Sequence, residues 1–563
     1  MEPNPLDLLR EEMSTDEVYV KVNAIHRIQI IATILGPEKV QSQLLPYLST
    51  LTNEEDEVLF ALAQELGNLS SFLPNPSVLL PLLETLAMMD ETVVREQAVR
   101  SIKTIAEVLP DSDIINLLVP SVLKLSAAEN FSSRISAVTL FGAAYPRSGN
   151  FKEKLRQKFL ELSHEDTPMV RRAAVIEMGI FAKVIEKPFL ISELIPDLRQ
   201  LAQDEQDQVR TLCVDSMIEV AKLLSKEENK LHALPIILLV GEDKSWRVRY
   251  HFAQKFPQLA ESLGKEITEN SLIQTFVQLL RDVEADVKSI ALHSLKGTMN
   301  SINREKIQNL VFPTVEAISS DLSLNPKVRK NCAEVISEMV QYVGREFASA
   351  KITPIVLVLL NDESFEVKMK MVEGLGNLAA AIGIELLSPP IVNQMTTLVR
   401  ESPQWRLRQA VIKSCVDITR HLGEEAFIRH LQQIYVAFLT DPVNDVREAG
   451  IEELNTLTTI MTPEWTVAEF LTKLEEIYHN QANCIARVTI IKAMGSIYVN
   501  SDQYVPIFNE AARDKVANVR LVLCKTIKKL STKIDVSQFR NLLQDLSRDP
   551  DKDVKYYAQQ ALR

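Results

Sequence analysis

The sequence predicts an all-α fold, an α-solenoid (superhelix) of about fifteen repeated two-helix units that runs as one continuous array from residue 1 to 563. Three observations carry this. Glycine is scarce, at 15 of 563 residues, and aromatics make up only 6%. The chain is therefore poor in the residues that shape turns and sheets and rich in helix formers. Apolar residues recur at helical spacing, as in Val94, Ala98, Ile102, Ile105 and Leu109, or in Leu194, Leu198 and Leu201. Finally, a Val followed by a basic residue returns at near-constant intervals along the chain.

That dipeptide stands at Val94-Arg95, Val170-Arg171, Val209-Arg210, Val248-Arg249, Val287-Lys288, Val328-Arg329, Val367-Lys368, Val446-Arg447, Val519-Arg520 and Val554-Lys555, with steps of 39 residues from 170 to 287. Weaker members at Val20, Val58, Ser133, Leu407 and Ala486 complete fifteen units. Fourteen of the fifteen carry Lys or Arg at the second position, where 62 in 563 predicts about two. Such a unit cannot bury its apolar faces alone, so neighbours must stack.

Two further positions repeat. Pro stands 12 or 13 residues before the Val at Pro46, Pro81, Pro196, Pro235, Pro354 and Pro506. Asp stands four or five before it at Asp90, Asp166, Asp204, Asp243, Asp282, Asp362, Asp441, Asp514 and Asp549. Each unit thus reads as a helix with an early or bending Pro, a polar turn opened by Asp, and a second helix starting near the Val. A cation in the first turn of a helix opposes its dipole by about 0.3–1 kcal/mol, so its recurrence demands a partner. The turn Asp of the same or the next unit supplies one. On this reading Arg95, Arg171, Arg210, Arg249, Lys288, Arg329, Lys368, Arg408, Arg447, Arg520 and Lys555 form a structural ladder.

A net charge of −13 provides no concentrated cationic face for phosphates, which argues against nucleic-acid binding. The five cysteines, Cys213, Cys332, Cys415, Cys484 and Cys524, are far apart and lack metal-ligand spacing; they read as reduced, buried thiols. The first residues lack the layout of a signal peptide, and the apolar run 352–360 is too short to cross a bilayer. The expected location is the cytoplasm, with the nucleus as a second compartment, and no direct membrane insertion is expected.

No catalytic motif is present, and neither a cofactor nor a metal is called for. His164, Glu165 and Asp166 form the nearest approach to a ligand cluster, but they sit in a repeat turn. Gly374 and Gly376 imitate a dinucleotide loop, yet no strand precedes them, so close helix packing explains them better. More informative are two tryptophans at matching turn positions, Trp246-Arg247 in unit 7 and Trp405-Arg406 in unit 11. Each either folds back on its own hairpin or meets a partner. Trp and Arg dominate interface hot spots, which favours the partner.

The D-x-x-x-x-V-R hairpin resembles the HEAT repeat. Several strings, DTPMVRRAA (166–174), DEQDQVR (204–210), EDKSWRVRY (242–250), DKVANVR (514–520) and DKDVKYYAQQAL (551–562), resemble the scaffolding A subunits of type-2A serine/threonine protein phosphatases more than HEAT-repeat nuclear transport receptors. The resemblance implies a non-catalytic scaffold, monomeric alone and present as one copy in a heterodimer or heterotrimer. Its partners would be variable regulatory B-type subunits together with the phosphatase catalytic subunit. It implies a regulatory-subunit half over 1–303, a central hinge over 304–383 and a catalytic-subunit half over 384–563. The contacts it suggests are Pro168, Arg172, Asp204, Gln206, Trp246 and Arg247 for the regulatory subunit. For the catalytic subunit they are Trp405, Arg406, Asp441, Pro442, Asn444 and Arg487. The sequence departs from the family pattern in two compressed units before Val519, in a turn at 130–134 without Asp or Val, and in the turn at 402–408.

Overall fold

The computed structural model describes residues 4–480 and 482–563, which are helical with no strand among them. The chain divides into two compact units, residues 1–279 and 280–563, a line that falls ahead of the segment 304–383. In the first unit the second helices Asp56–Leu69, Thr92–Val108, Phe131–Ala144, Pro168–Phe181, Asp207–Leu223 and Trp246–Leu263 each pack on the next. The second unit stacks Ala285–Thr298, Pro326–Val343, Phe365–Glu373, Trp405–Ala426, Asn444–Ile460, Cys484–Met494, Ala517–Leu530 and Lys552–Leu562 in the same way. Each unit is an all-α solenoid segment. Its core is one continuous apolar seam, to which a fully buried Val, Leu or Phe contributes about 2 kcal/mol.

Close approach within the seam requires small residues. A Cβ added at Gly374 would lie 2.5 Å from the Cβ of Ser337 on the preceding second helix. This accounts for the glycine by packing and leaves no loop for a dinucleotide. Buried thiols fill the same seam, and burial pushes those of Cys332 and Cys524 up to about 12, which leaves them protonated and unreactive.

The first helices carry a wide turn that the sequence reading reduced to a bend. The N–H of Leu45 donates to the carbonyl of Val40, that of Ile195 to Leu190 and that of Leu234 to Asn229, each five residues back. A proline follows at once, at Pro46, Pro196 and Pro235. Proline has no N–H and its ring crowds the carbonyl four residues earlier, so an opened turn accommodates it. The same turn forms before Gln274 and Gln433, so repeat geometry sets it and proline exploits it. Pro81 and Pro506 instead follow a tightened 3₁₀ turn.

Between the two helices of each repeat lies the ladder. Arg171 meets Asp204 at 2.7 Å and Arg210 meets Asp243 at 2.6 Å. In the second unit Arg329 meets Asp362 and Arg408 meets Asp441, both at 2.7 Å. The acid lies 33 residues beyond the arginine in all four, so it belongs to the next repeat. Each guanidinium is bidentate through Nε and Nη2, and its Nη1 donates to carbonyls of its own turn, as Arg171 does to Glu165 and Asp166 at 2.9 Å. Each carboxylate also accepts the N–H two residues on: Gln206 to Asp204 at 2.8 Å, Ser245 to Asp243 at 2.7 Å. The Asp therefore shapes its turn and neutralises the arginine of the previous repeat, and it does not cap the helix. Compression is tolerated, since Arg487–Asp514 and Arg520–Asp549 form at 2.7 Å over only 27 and 29 residues.

The basic positions are not one uniform set. Lys288, Lys368 and Lys555 make no ion pair among the described residues, which corrects their place in the ladder. An ammonium lacks the planar fork that grips a carboxylate and two carbonyls together, and Lys555 is exposed. Arg249 donates to the carbonyls of Asp243 and Lys244, and Arg447 to those of Asp441 and Pro442. Arg95 bonds the carbonyls of Met89 and Asp90 and the hydroxyl of Thr92. Asp90 and Asp166 stand one residue out of register, and their carbonyls accept from Arg95 and Arg171 respectively. Arg134, in the turn that departs from the pattern, takes Glu165 at 2.6 Å.

Two expectations follow. Asp243→Asn leaves a guanidinium that is 5% exposed without its counter-charge and should destabilise the first unit by about 3 kcal/mol, whereas Lys368→Ala should change stability by under about 0.5 kcal/mol; denaturant titration compares them. Hydrogen bonds from Arg520 hold the Asp549 carboxyl below its ordinary value, near 3.9. Its stabilisation is complete above that value and lost as pH falls through the depressed one. The stability gap between wild type and Asp549→Asn should therefore be widest at neutral pH and close as pH falls below the ordinary carboxyl value; a constant gap would exclude the pairing as its source.

Candidate binding surface at the repeat turns

Arg210–Asp243 and Arg408–Asp441 tie the turns that carry Trp246 and Trp405 to a neighbouring turn, so the residues that open these two second helices are held at fixed positions. Trp246 is the first residue of Trp246–Leu263 and is 37% exposed. Its ring meets Tyr250 edge to face at 6.5 Å, and the Arg247 guanidinium lies 5.0 Å from the ring centre. Trp405 opens Trp405–Ala426, is half-buried, and has Arg406 at 4.4 Å over its ring. Each pair is thus a preformed stack of indole and guanidinium, worth about 0.5–1 kcal/mol at an exposed site. The third tryptophan, Trp465, is buried against Phe470 at 5.2 Å and Phe427 at 5.6 Å. Core duty accounts for that one, and the other two stand outside the core.

The remaining sequence-derived positions separate by what their side chains already do. Pro168 opens Pro168–Phe181 and is half-buried. Arg172 is half-buried with Nη1 3.5 Å from the Met169 sulfur. Gln206, Pro442 and Asn444 are exposed, and Asn444 accepts from Arg447 at 3.1 Å. Asp204, Asp441 and Arg487 are committed to rungs with Arg171, Arg408 and Asp514. Their assignment as free contacts is corrected accordingly: a carboxylate already gripped by a bidentate arginine has little left to offer a partner. His164 is likewise engaged, at 2.5 Å from the buried Asp197.

Sequence reasoning missed a set of exposed apolar side chains at the same level of the turns. Val93, Phe131 and Met169 in the first unit and Ile485 in the second are 44–52% exposed. Each immediately precedes the repeat Val position or stands two before it, as the two tryptophans do. Counting back from that position would have found them.

A family model for the PIK3R4-like middle domain matches residues 344–474. The regulatory A subunit of protein phosphatase PP2A from Schizosaccharomyces pombe is 39% identical over 273 residues, covering 47% of this chain and 46% of that one. The A beta isoform of the human 65 kDa regulatory subunit of serine/threonine-protein phosphatase 2A is 35% identical over 379 residues, 66% of this chain and 63% of that one. The protein phosphatase 2A scaffold subunit of Dictyostelium discoideum is 36% identical over 284 residues, 50% and 49%. The matched stretches thus span about half to two thirds of these relatives' own lengths. Among solved structures, Kap95p from work on its binding to RanGDP superposes with a TM-score of 0.65 at 13% identity, covering 99% of this chain and 76% of that one. Importin β gives 0.61 at 14%, covering 100% and 72%. These two likenesses establish the solenoid fold alone. Over these stretches the chain, an array of HEAT-type repeats, is similar to the A subunits, the 65 kDa regulatory subunits, of type-2A protein phosphatase.

Proposed function

We propose that the chain is a non-catalytic scaffold that assembles the catalytic subunit of a type-2A serine/threonine phosphatase with a variable regulatory B-type subunit. Substrate held by the regulatory subunit is thereby kept near the active site at high effective concentration. One copy serves in a heterodimer or heterotrimer, in the cytoplasm and also in the nucleus. The observation that carries this reading is the pair of Trp-Arg stacks outside the core, the exposed Trp246-Arg247 in the first compact unit and the half-buried Trp405-Arg406 in the second. Rigid aromatic and guanidinium groups at fixed positions are what protein interfaces use as anchors. Regulatory-subunit contacts are assigned to the stack in the first unit with Pro168, Arg172 and Gln206. Catalytic-subunit contacts are assigned to the stack in the second with Pro442 and Asn444.

Replacing Trp405 and Arg406 together by Ala should weaken catalytic-subunit binding by about 2 kcal/mol and leave regulatory-subunit binding to the isolated scaffold unchanged. Replacing Trp246 and Arg247 should do the reverse. Calorimetric titration of purified subunits reads both. Equal loss of both partners together with a lowered Tm would mean that the indoles are structural.

A further inference from the structure

In rungs such as Arg171–Asp204, Arg210–Asp243, Arg329–Asp362 and Arg408–Asp441 an arginine meets the acid 33 residues beyond it. Applied to Arg95, the same step lands on Ala128, in the turn position ahead of a second helix that Asp204 and Asp243 occupy in their turns. Arg95 is nonetheless buried, at 6% exposure, with carbonyl and hydroxyl acceptors but no carboxylate among the described residues. It also lines a cavity of about 340 Å³ in the body of the second helices, beyond the turns.

The cavity lies over Phe131–Ala144, between Thr92–Val108 and Pro168–Phe181, with Val99, Ile135 and Ile176 as apolar lining. Ile176 is 53% exposed. The charges that line the cavity pair off except for one. Arg100 meets Glu96 and Lys103 meets Glu177, each at 3.7 Å, which leaves Arg95 as the lining cation without a counter-charge among the described residues. Both pairs are long, and burial raises the Glu177 carboxyl above its usual range, which lowers the local negative charge.

We propose that this groove is a docking site for a short segment of a partner protein in which one Asp or Glu is flanked by apolar side chains. The carboxylate completes the rung that Ala128 leaves open, and the apolar neighbours cover Val99, Ile135 and Ile176. A phosphate group fits less well, because a dianion would face Glu96 and Glu177 as well as Arg95. An uncompensated buried guanidinium is costly, and an incoming carboxylate removes that cost while forming a charge-assisted, bidentate pair. The site does not depend on the phosphatase reading, since its probe contains no phosphatase subunit.

The test uses the full chain and a short dye-labelled peptide with a single Asp between Leu and Ile, read by fluorescence anisotropy. Binding should saturate with the wild-type chain, weaken about tenfold when the peptide Asp is replaced by Asn, and weaken similarly with the scaffold variant Ala128→Asp. That variant supplies the missing acid internally, so its Tm should match or exceed that of wild type. Ile176→Ser alters an exposed side chain and should also reduce binding with the fold intact, which keeps the test decisive should Ala128→Asp fold poorly. Absence of saturation, equal binding of the Asp and Asn peptides, or full binding by a folded Ala128→Asp would each overturn the proposal. So would displacement of the peptide by inorganic phosphate at matching concentration, which would mark a patch for any small anion.

Discussion

The interaction on which the rest of the structure depends is the bidentate pair between an arginine in the first turn of a second helix and the aspartate of the following turn. Alone, the arginine is badly placed, because it opposes the helix dipole and lies under the next repeat. It is retained because its fork has five donors, and three kinds of acceptor surround it: the carbonyls of its own turn, the carboxylate of the next turn and, at Arg447, a side-chain amide. The aspartate is equally committed, holding its own turn through an N–H two residues on. One pair therefore does two jobs: it shapes a turn and sets the spacing to its neighbour. This explains why compressed repeats keep the pair while losing residues from their helices.

A surface follows from that constraint. Side chains that open successive second helices are carried on turns fixed from below, so Trp246 and Trp405 present their rings without help from a core. Arginines beside them cover one ring face and reduce the freedom lost on binding. By contrast Trp465, just ahead of the wide turn of a first helix, is absorbed by Phe427 and Phe470. Residue type alone does not separate these tryptophans; position within the repeat does.

The wide turn of the first helices is a second constraint, and it runs from tertiary structure to sequence. In many of these helices the turn widens by one residue, and it forms whether or not proline follows. Proline then costs nothing, having no N–H to leave unsatisfied, and its recurrence records a vacancy in the hydrogen-bond pattern more than a cause of bending.

Much of this was legible in the amino-acid sequence, because a repeated unit writes its packing rule many times over. Fold class, repeat number, the Val-basic register and the partnership of turn Asp with arginine all come from periodicity, since each must satisfy the same neighbour relation in every copy. What periodicity does not reveal is which member of a repeated position is engaged. Lys288 and Lys368 match the pattern yet form no rung, whereas Asp204, Asp441 and Arg487, chosen as partner contacts, are consumed inside the chain. Only the tertiary structure decided this, because engagement depends on the reach of a planar fork across a gap of a few ångströms, a distance that no linear spacing contains. The vacancy opposite Arg95 has the same character: the sequence supplied an alanine in an irregular turn, and the fold made of it a buried cation beside an open groove.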